Sequence, residues 1–203
     1  MYQNVLIPTD GSDGTRRAID HGLTIADRFD GTVHALSIVP EGPLGTTSSG
    51  AAASEAERAV NHVESEASRD DIPVTTTIER GVPHECVLDY ASENDIDMIV
   101  MGTQGRTGLD RFLVGSVTER IVRMADAPVV TLRMTDDIEV DDPEEATRIA
   151  RQSLESAGSE QATLLEDPHR TSGLWIVPLE TPDGVVDVHV DATTGDVRRT
   201  STR

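Results

Sequence analysis

Apolar positions follow two rhythms along the first two thirds of the chain. Short, nearly continuous apolar or β-branched runs occupy residues 3–9 ("QNVLIPT"), 32–39 ("TVHALSIV"), 74–79 ("VTTTIE"), 97–101 ("DMIVM") and 128–133 ("PVVTLR"), and each reads as a strand. Between them apolar residues recur every three or four positions. Ala18, Gly22, Ile25 and Phe29 share one helical face, with Ile19 and Ala26 beside them. A polar, acidic helix is predicted over roughly 54–69. Pro83 suits the first turn of another, which turns Val87, Leu88 and Ala91 inward. A helix entered at Ser116 aligns Val117, Ile121 and Met124 on one side. The Gly-, Ser- and Thr-rich stretch 40–54 reads as a mobile loop. Strands alternating with helices predict an α/β domain: a parallel sheet covered on both faces, with ligands bound beyond the carboxyl ends of the strands.

The rhythm changes after residue 134. "TDDIEVDDPEE" reads as an acidic linker, with 135–143 as its bounds. A helix then places Ala146, Ile149, Ala150, Leu154 and Ala157 on one side and ends at Gly158, the expected C-cap. Three strand candidates follow, "QATLLE", "GLWIVPLE" and "VVDVHVD"; in the last, Val186, Val188 and Val190 alternate with Asp187 and His189. Gly184 and Gly195 suit turns that need positive φ. The expectation is a small α+β module over 144–200, one helix and three antiparallel strands, beside a domain over 1–134.

Charge narrows the function classes. The chain has 203 residues with 37 acidic and 17 basic side chains, a net charge of −20. Residues 134–203 hold 16 acidic residues against six arginines, a net of −10 in 70 residues. Such a field argues against nucleic acid and anionic membranes as partners. Every basic residue is arginine, and lysine is absent. This pattern suits a protein kept soluble in concentrated salt, where the Debye length falls to about 3 Å and carboxylate repulsion is screened. Without lysine there is no Walker A lysine and no Schiff-base chemistry. The single cysteine, Cys86, permits no internal disulfide and reads as a small buried hydrophobe. No long apolar segment or basic leader opens the chain, so a cytoplasmic location is expected. The histidines form no metal-ligating pair, and no residue stands out as a base for activating water.

The sharpest local signal is "MGTQGRTGLDRFLVGS" (101–116), which leaves an apolar strand and enters a helix. Gly102 and Gly105 allow backbone to approach a ligand, and the helix that opens at Gly115-Ser116 offers N–H groups and the positive end of its dipole to an anion. Arg106 and Arg111 add local positive charge. A tightly packed glycine turn is the alternative for the loop, and a helix-capping carboxylate is the alternative for Asp10.

The spacing Gly102-x2-Gly105-x9-Gly115-Ser116 resembles the ATP-binding signature of the universal stress protein family. "VLIPTDGS" near the start resembles that family's first strand and turn, and the likeness runs over residues 1–133. It implies a five-stranded parallel sheet of order 3-2-1-4-5. It implies that Pro8, Thr9 and Asp10 line the adenine and ribose side, with Ile38 and Met101 against the base. Gly102, Gly105, Gly115, Ser116, Val117 and Thr118 would enclose ribose and phosphates, with Arg106 a variable member of the loop. ATP would be the ligand and Mg²⁺ would come with it, Asp10 helping to hold the ion. The likeness further implies a stress-response regulatory protein and a homodimer paired through the fifth strand, Val129 to Arg133. A slow ATPase using the same cavity, or an interaction module acting through the C-terminal part, are the alternatives. "VDATTGDV" in that part resembles PepSY-like modules, which implies contacts with a protein partner.

Overall fold

A computed structural model of the chain describes residues 2–41, 49–103, 115–133, 139–157, 159, 162–182 and 184–201. The chain divides into two compact units, Met1–Met134 and Thr135–Arg203.

In the first unit, β1 (Asn4–Pro8), β2 (Thr32–Pro40), β3 (Val74–Gly81), β4 (Met98–Gly102) and β5 (Val129–Leu132) form one sheet. Its order is β3-β2-β1-β4-β5, and every neighbouring pair is parallel. Four helices cover it: α1 (Arg16–Phe29), α2 (Ser49–Arg69), α3 (Pro83–Glu93) and α4 (Ser116–Met124). The predicted doubly covered α/β sheet is therefore present. The period-two rule divides β1 and β4 between two cores. Val5, Ile7, Met98 and Val100 pack with Ala18, Ile19 and Leu23 of α1 and with Val60, Val63 and Ala67 of α2. Leu6, Ile99 and Met101 pack on the other face with Val87 and Tyr90 of α3 and Ile121 of α4. Both cores are therefore filled from the central strands, at about 1.5–3 kcal/mol for each fully buried large aliphatic side chain.

Three details depart from the sequence reading. Helix α2 begins at Ser49, so the second part of the expected 40–54 loop is helical. "GAAAS" has the small, strongly helix-forming alanines that permit this. Met124 is 60% exposed although its spacing placed it inward. It is the last residue of α4, and the chain turns extended at Ala125 before it can be covered. Phe29 is also exposed; it ends α1 and meets Tyr2 edge to face at 5.2 Å. Helix α1 stops there because Asp30 takes the left-handed conformation, φ 53°, and returns its N–H to the last turn.

The second unit packs α5 (Pro143–Ser156) on an antiparallel sheet. The strands are β6 (Thr163–Leu164), β7 (His169–Thr171), β8 (Leu174–Thr181), β9 (Gly184–Asp191) and β10 (Val197–Ser201). The path is β10-β9-β8-β6, and β7 also pairs with β8. The reading of three strands thus becomes five. β7 and β10 are short, polar segments ("HRT", "VRRTS") without the alternation that reveals a half-buried strand. Ala146, Ala150 and Leu154 of α5 face Trp175, Val177, Leu179, Val188 and Val190. Asp142 caps α5 by accepting the Glu144 N–H at 2.7 Å, with Pro143 in the first turn. The end of the expected linker is built into this unit: Val140 is buried, and its carbonyl accepts the Trp175 indole N–H at 2.8 Å. Gly195, φ 71°, closes the β9–β10 turn as expected. Gly158 lies outside the described residues.

Candidate functional site

At the carboxyl edge of the parallel sheet, segments from six places in the sequence line one cavity of about 450 Å³. The end of β1 brings Pro8, Thr9 and Asp10, and the end of β2 brings Ile38 and Pro40. Helices α2 and α3 contribute Ala52, Ala56, Pro83 and Val87. The end of β4 brings Met101 and Gly102, and the start of α4 brings Gly115, Ser116, Val117 and Thr118; Thr15 completes the lining. Ten of the twelve residues singled out in the sequence meet here. The other two, Gly105 and Arg106, lie outside the described residues.

The β1 turn is held by its own hydroxyls. Thr9 donates its N–H to the Leu36 carbonyl at 2.9 Å, and its Oγ1 accepts the Gly11 N–H at 3.2 Å. Thr15 Oγ1 donates to the Ser12 carbonyl at 2.7 Å. Asp10 Oδ1 accepts from the Ser12 N–H at 2.9 Å and the Ser12 hydroxyl at 2.5 Å. Asp10 is therefore the acceptor of a tight Asx turn. It caps neither the 3-10 turn Asp13–Thr15, whose N-cap is Ser12, nor α1, whose N-cap is Thr15.

The two ends of the glycine loop are stitched together. The Thr103 N–H donates to Leu132 at 2.9 Å, while its carbonyl accepts the Gly115 N–H at 2.8 Å. Thr118 Oγ1 donates to the Gly102 carbonyl at 3.0 Å, so this hydroxyl ties α4 to β4. A Cβ on Gly115 would stand 3.3 Å from the Thr103 oxygen, which explains why glycine fits at this closure. Gly115 is the N-cap of α4 and supplies no side-chain cap; Ser116 is already the first helical residue. The N–H groups of Ser116, Val117 and Thr118 have no acceptor within the helix, and the helix dipole adds to the positive potential at this end. Thr103 Oγ1, at the same closure, is buried without a hydrogen-bond partner.

Much of the lining is apolar: Ile38, Pro40, Ala52, Ala56, Val87 and Met101. The cavity thus combines apolar side chains with the open N-terminus of a helix, a mixture typical of small-ligand sites. Among the described residues Asp10 is the one ionisable member of the lining. Sequence reasoning missed Thr15, Pro40, Ala52, Ala56, Pro83 and Val87 as lining residues. Pro40 and Ala52 fell in a stretch read as loop, Ala56, Pro83 and Val87 were read only as positions of helices, and no local signal distinguishes Thr15 from a surface threonine.

Away from the cavity, buried polar groups are structural. His34 Nδ1 and the Tyr90 hydroxyl lie 3.0 Å apart, and burial holds His34 below its usual pKa. His62 is buried on α2 and pushed down to about 4, by burial first and by the Arg69 charge second. Cys86 is half-buried; burial, then the neighbouring Glu79 carboxylate, raises its thiol pKa. Among the described residues no group of three or more His, Cys, Asp or Glu could hold a metal ion, and no helix is long and apolar enough to cross a membrane.

Comparison with known proteins gives a consistent picture for the first unit. Residues 1–133 match the model of the universal stress protein family. A universal stress protein of Methanocaldococcus jannaschii is 35% identical over 141 residues, which cover 66% of this chain and 83% of that protein. The solved structure of the universal stress protein UspA from Lactobacillus plantarum has a TM-score of 0.58 at 29% identity, covering 65% of this chain and 98% of that one. A family protein from Arabidopsis thaliana, solved with AMP bound, has a TM-score of 0.53 at 16% identity, covering 68% of this chain and 96% of that one. At that identity the likeness speaks for the fold.

Proposed function

The chain belongs to the universal stress protein family, and we propose that its first unit binds an adenine nucleotide, ATP with its Mg²⁺, as a regulatory ligand. One observation carries this reading: ten residues selected from the sequence converge on one cavity, whose lining combines apolar side chains with the open N-terminus of α4. The base would lie against Ile38 and Met101, the ribose near Asp10 and Gly102, and the phosphates at Gly115 to Thr118. A plant protein of the same fold was solved with AMP bound, which supports an adenine nucleotide as the ligand class. Bound Mg²⁺ would neutralise phosphate charge. Asp10, one oxygen of which already holds Ser12, is the carboxylate nearest to hand.

Binding is favoured over hydrolysis because, among the described residues, no histidine, glutamate or cysteine joins Asp10 in the lining to activate water. The regulatory output would run through protein contacts. β5 lies at the edge of the sheet, and Val129 to Arg133 is the proposed pairing edge of a homodimer. The PepSY-like second unit is proposed as a partner-binding module, in a cytoplasmic and salt-rich setting that suits the charge of −20 without lysine.

Thermal unfolding in molar KCl tests the nucleotide reading. Mg-ATP at 100 times its dissociation constant should stabilise the wild type by about 2.7 kcal/mol. Gly115→Val, which crowds the Thr103 carbonyl, should remove the shift while the fold is retained. A folded wild type unmoved by ATP, ADP and AMP would refute it.

A further inference from the structure

A second cleft, of about 560 Å³, adjoins the first and shares Ser116 with it. It is lined by His84 at the start of α3 and by Glu119, Arg120, Arg123 and Met124 along α4. Its charges are not equivalent. Arg123 is already paired with Glu119 at 2.8 Å, one helical turn away. Arg120 instead points its guanidinium at a histidine, with Nη1 3.3 Å from His84 Nε2. Arginine has no acceptor, so Arg120 can only donate in this contact with the His84 ring. The ring is held in place, since His84 is only 8% exposed. The Glu85 carboxylate lies 3.9 Å from the same nitrogen.

An arginine aimed at a ring nitrogen keeps its full charge. A phosphate oxygen is a stronger acceptor than an imidazole nitrogen, and a guanidinium can grip it with two parallel N–H groups. The shared residue, Ser116, opens α4 and lines both cavities. We propose that this cleft receives the outer phosphates of the bound nucleotide, with Arg120 as the residue that discriminates a polyphosphate chain from a monophosphate. His84 acts as the rest position for the Arg120 side chain in the absence of those phosphates. The inference rests on the nucleotide reading of the first cavity and deepens it: the preferred ligand class is a nucleoside polyphosphate.

Isothermal titration calorimetry on the full chain tests it, at the lowest KCl concentration at which the wild type is fully folded. Mg-ATP and AMP are titrated into wild type, Arg120→Gln and Arg120→Lys. Arg120 is exposed, and unchanged melting of the unliganded variants confirms that they fold. The wild type should bind ATP about tenfold or more tighter than AMP, the scale of one charge-assisted contact. In Arg120→Gln the ratio of the two dissociation constants should fall toward one, and Arg120→Lys should recover part of it. A wild-type ratio near one overturns the inference, as does a wild-type ratio retained in Arg120→Gln; in both cases the nucleotide reading survives. Failure of the folded wild type to bind either nucleotide overturns that reading and this inference together.

Discussion

Lowering the pH from 7.5 to 5 should cost the first unit about 2 kcal/mol of stability through a single side chain, His62. This histidine lies on the inward face of α2, in the same turns as Val60 and Val63 of the core, and is 8% exposed. Burial disfavours the imidazolium, and Arg69, two turns along the same helix, adds repulsion, so the pKa falls from 6.5 to about 4. The folded value is below the unfolded one. The unfolded chain therefore takes up a proton between pH 6.5 and 4 that the folded chain refuses. Stability from this group is complete above pH 6.5, declines as the pH falls through the window, and levels off below 4. The full span is worth about 3 kcal/mol at about 1.4 kcal/mol per pH unit, of which about 2 has been lost at pH 5. The assay is chemical denaturation at pH 7.5, 6 and 5 in constant KCl, on wild type and His62→Leu. Carboxylates titrate in both proteins, and His34, also held low by burial, is present in both. The difference between the two pH profiles isolates His62. The wild type should lose about 2 kcal/mol more than the variant over this range. Parallel profiles would refute the argument, because they would mean that His62 is as easily protonated in the folded protein as in the unfolded chain.

Two further outcomes follow from the same packing. Gly22→Ala places a Cβ 2.4 Å from Ile7 Cδ1 and 2.8 Å from its Cγ1, so the Ile7 side chain must leave its position between α1 and the sheet. A loss of about 1–3 kcal/mol of unfolding free energy, read from the lowered denaturant midpoint, is expected, and Ile7→Val in the same background should restore part of it. For the β5 edge, sedimentation in molar KCl should give twice the chain mass, and Thr131→Pro, which removes a strand N–H, should shift the species toward monomer. A wild type that remains monomeric across concentrations would exclude the fifth-strand dimer.

Much of the first unit was legible locally. Five apolar or β-branched runs separated by helical periodicities specify the five strands of a parallel sheet, and β1 and β4 divide their side chains between the two cores as alternation requires. The glycine spacing and the Gly-Ser helix start marked one side of the cavity. The "PTD" turn after β1 marked another, because ligands in parallel sheets gather where strands end. The strand order itself was available only through family resemblance. Hydrophobic rhythm is a property of ten or so residues at a time, whereas order depends on which strands pair across the whole unit.

Tertiary structure decided what no local pattern encodes. It brought Thr15, Pro40, Ala52 and Ala56 to a cavity whose other residues are up to a hundred positions away. It extended α2 into a glycine- and serine-bearing stretch by giving its alanines a surface to pack on. It formed β7 and β10 from polar segments, because a strand next to an established one needs a backbone ladder more than an apolar face. It set His84 against Arg120, 36 residues apart, only because α3 packs beside α4. It also made His62 a pH-sensitive group, since its pKa is set first by exclusion from water and only second by the Arg69 charge along the same helix. Sequence determines what each segment can become; the environment assembled from distant segments determines the chemistry of each side chain.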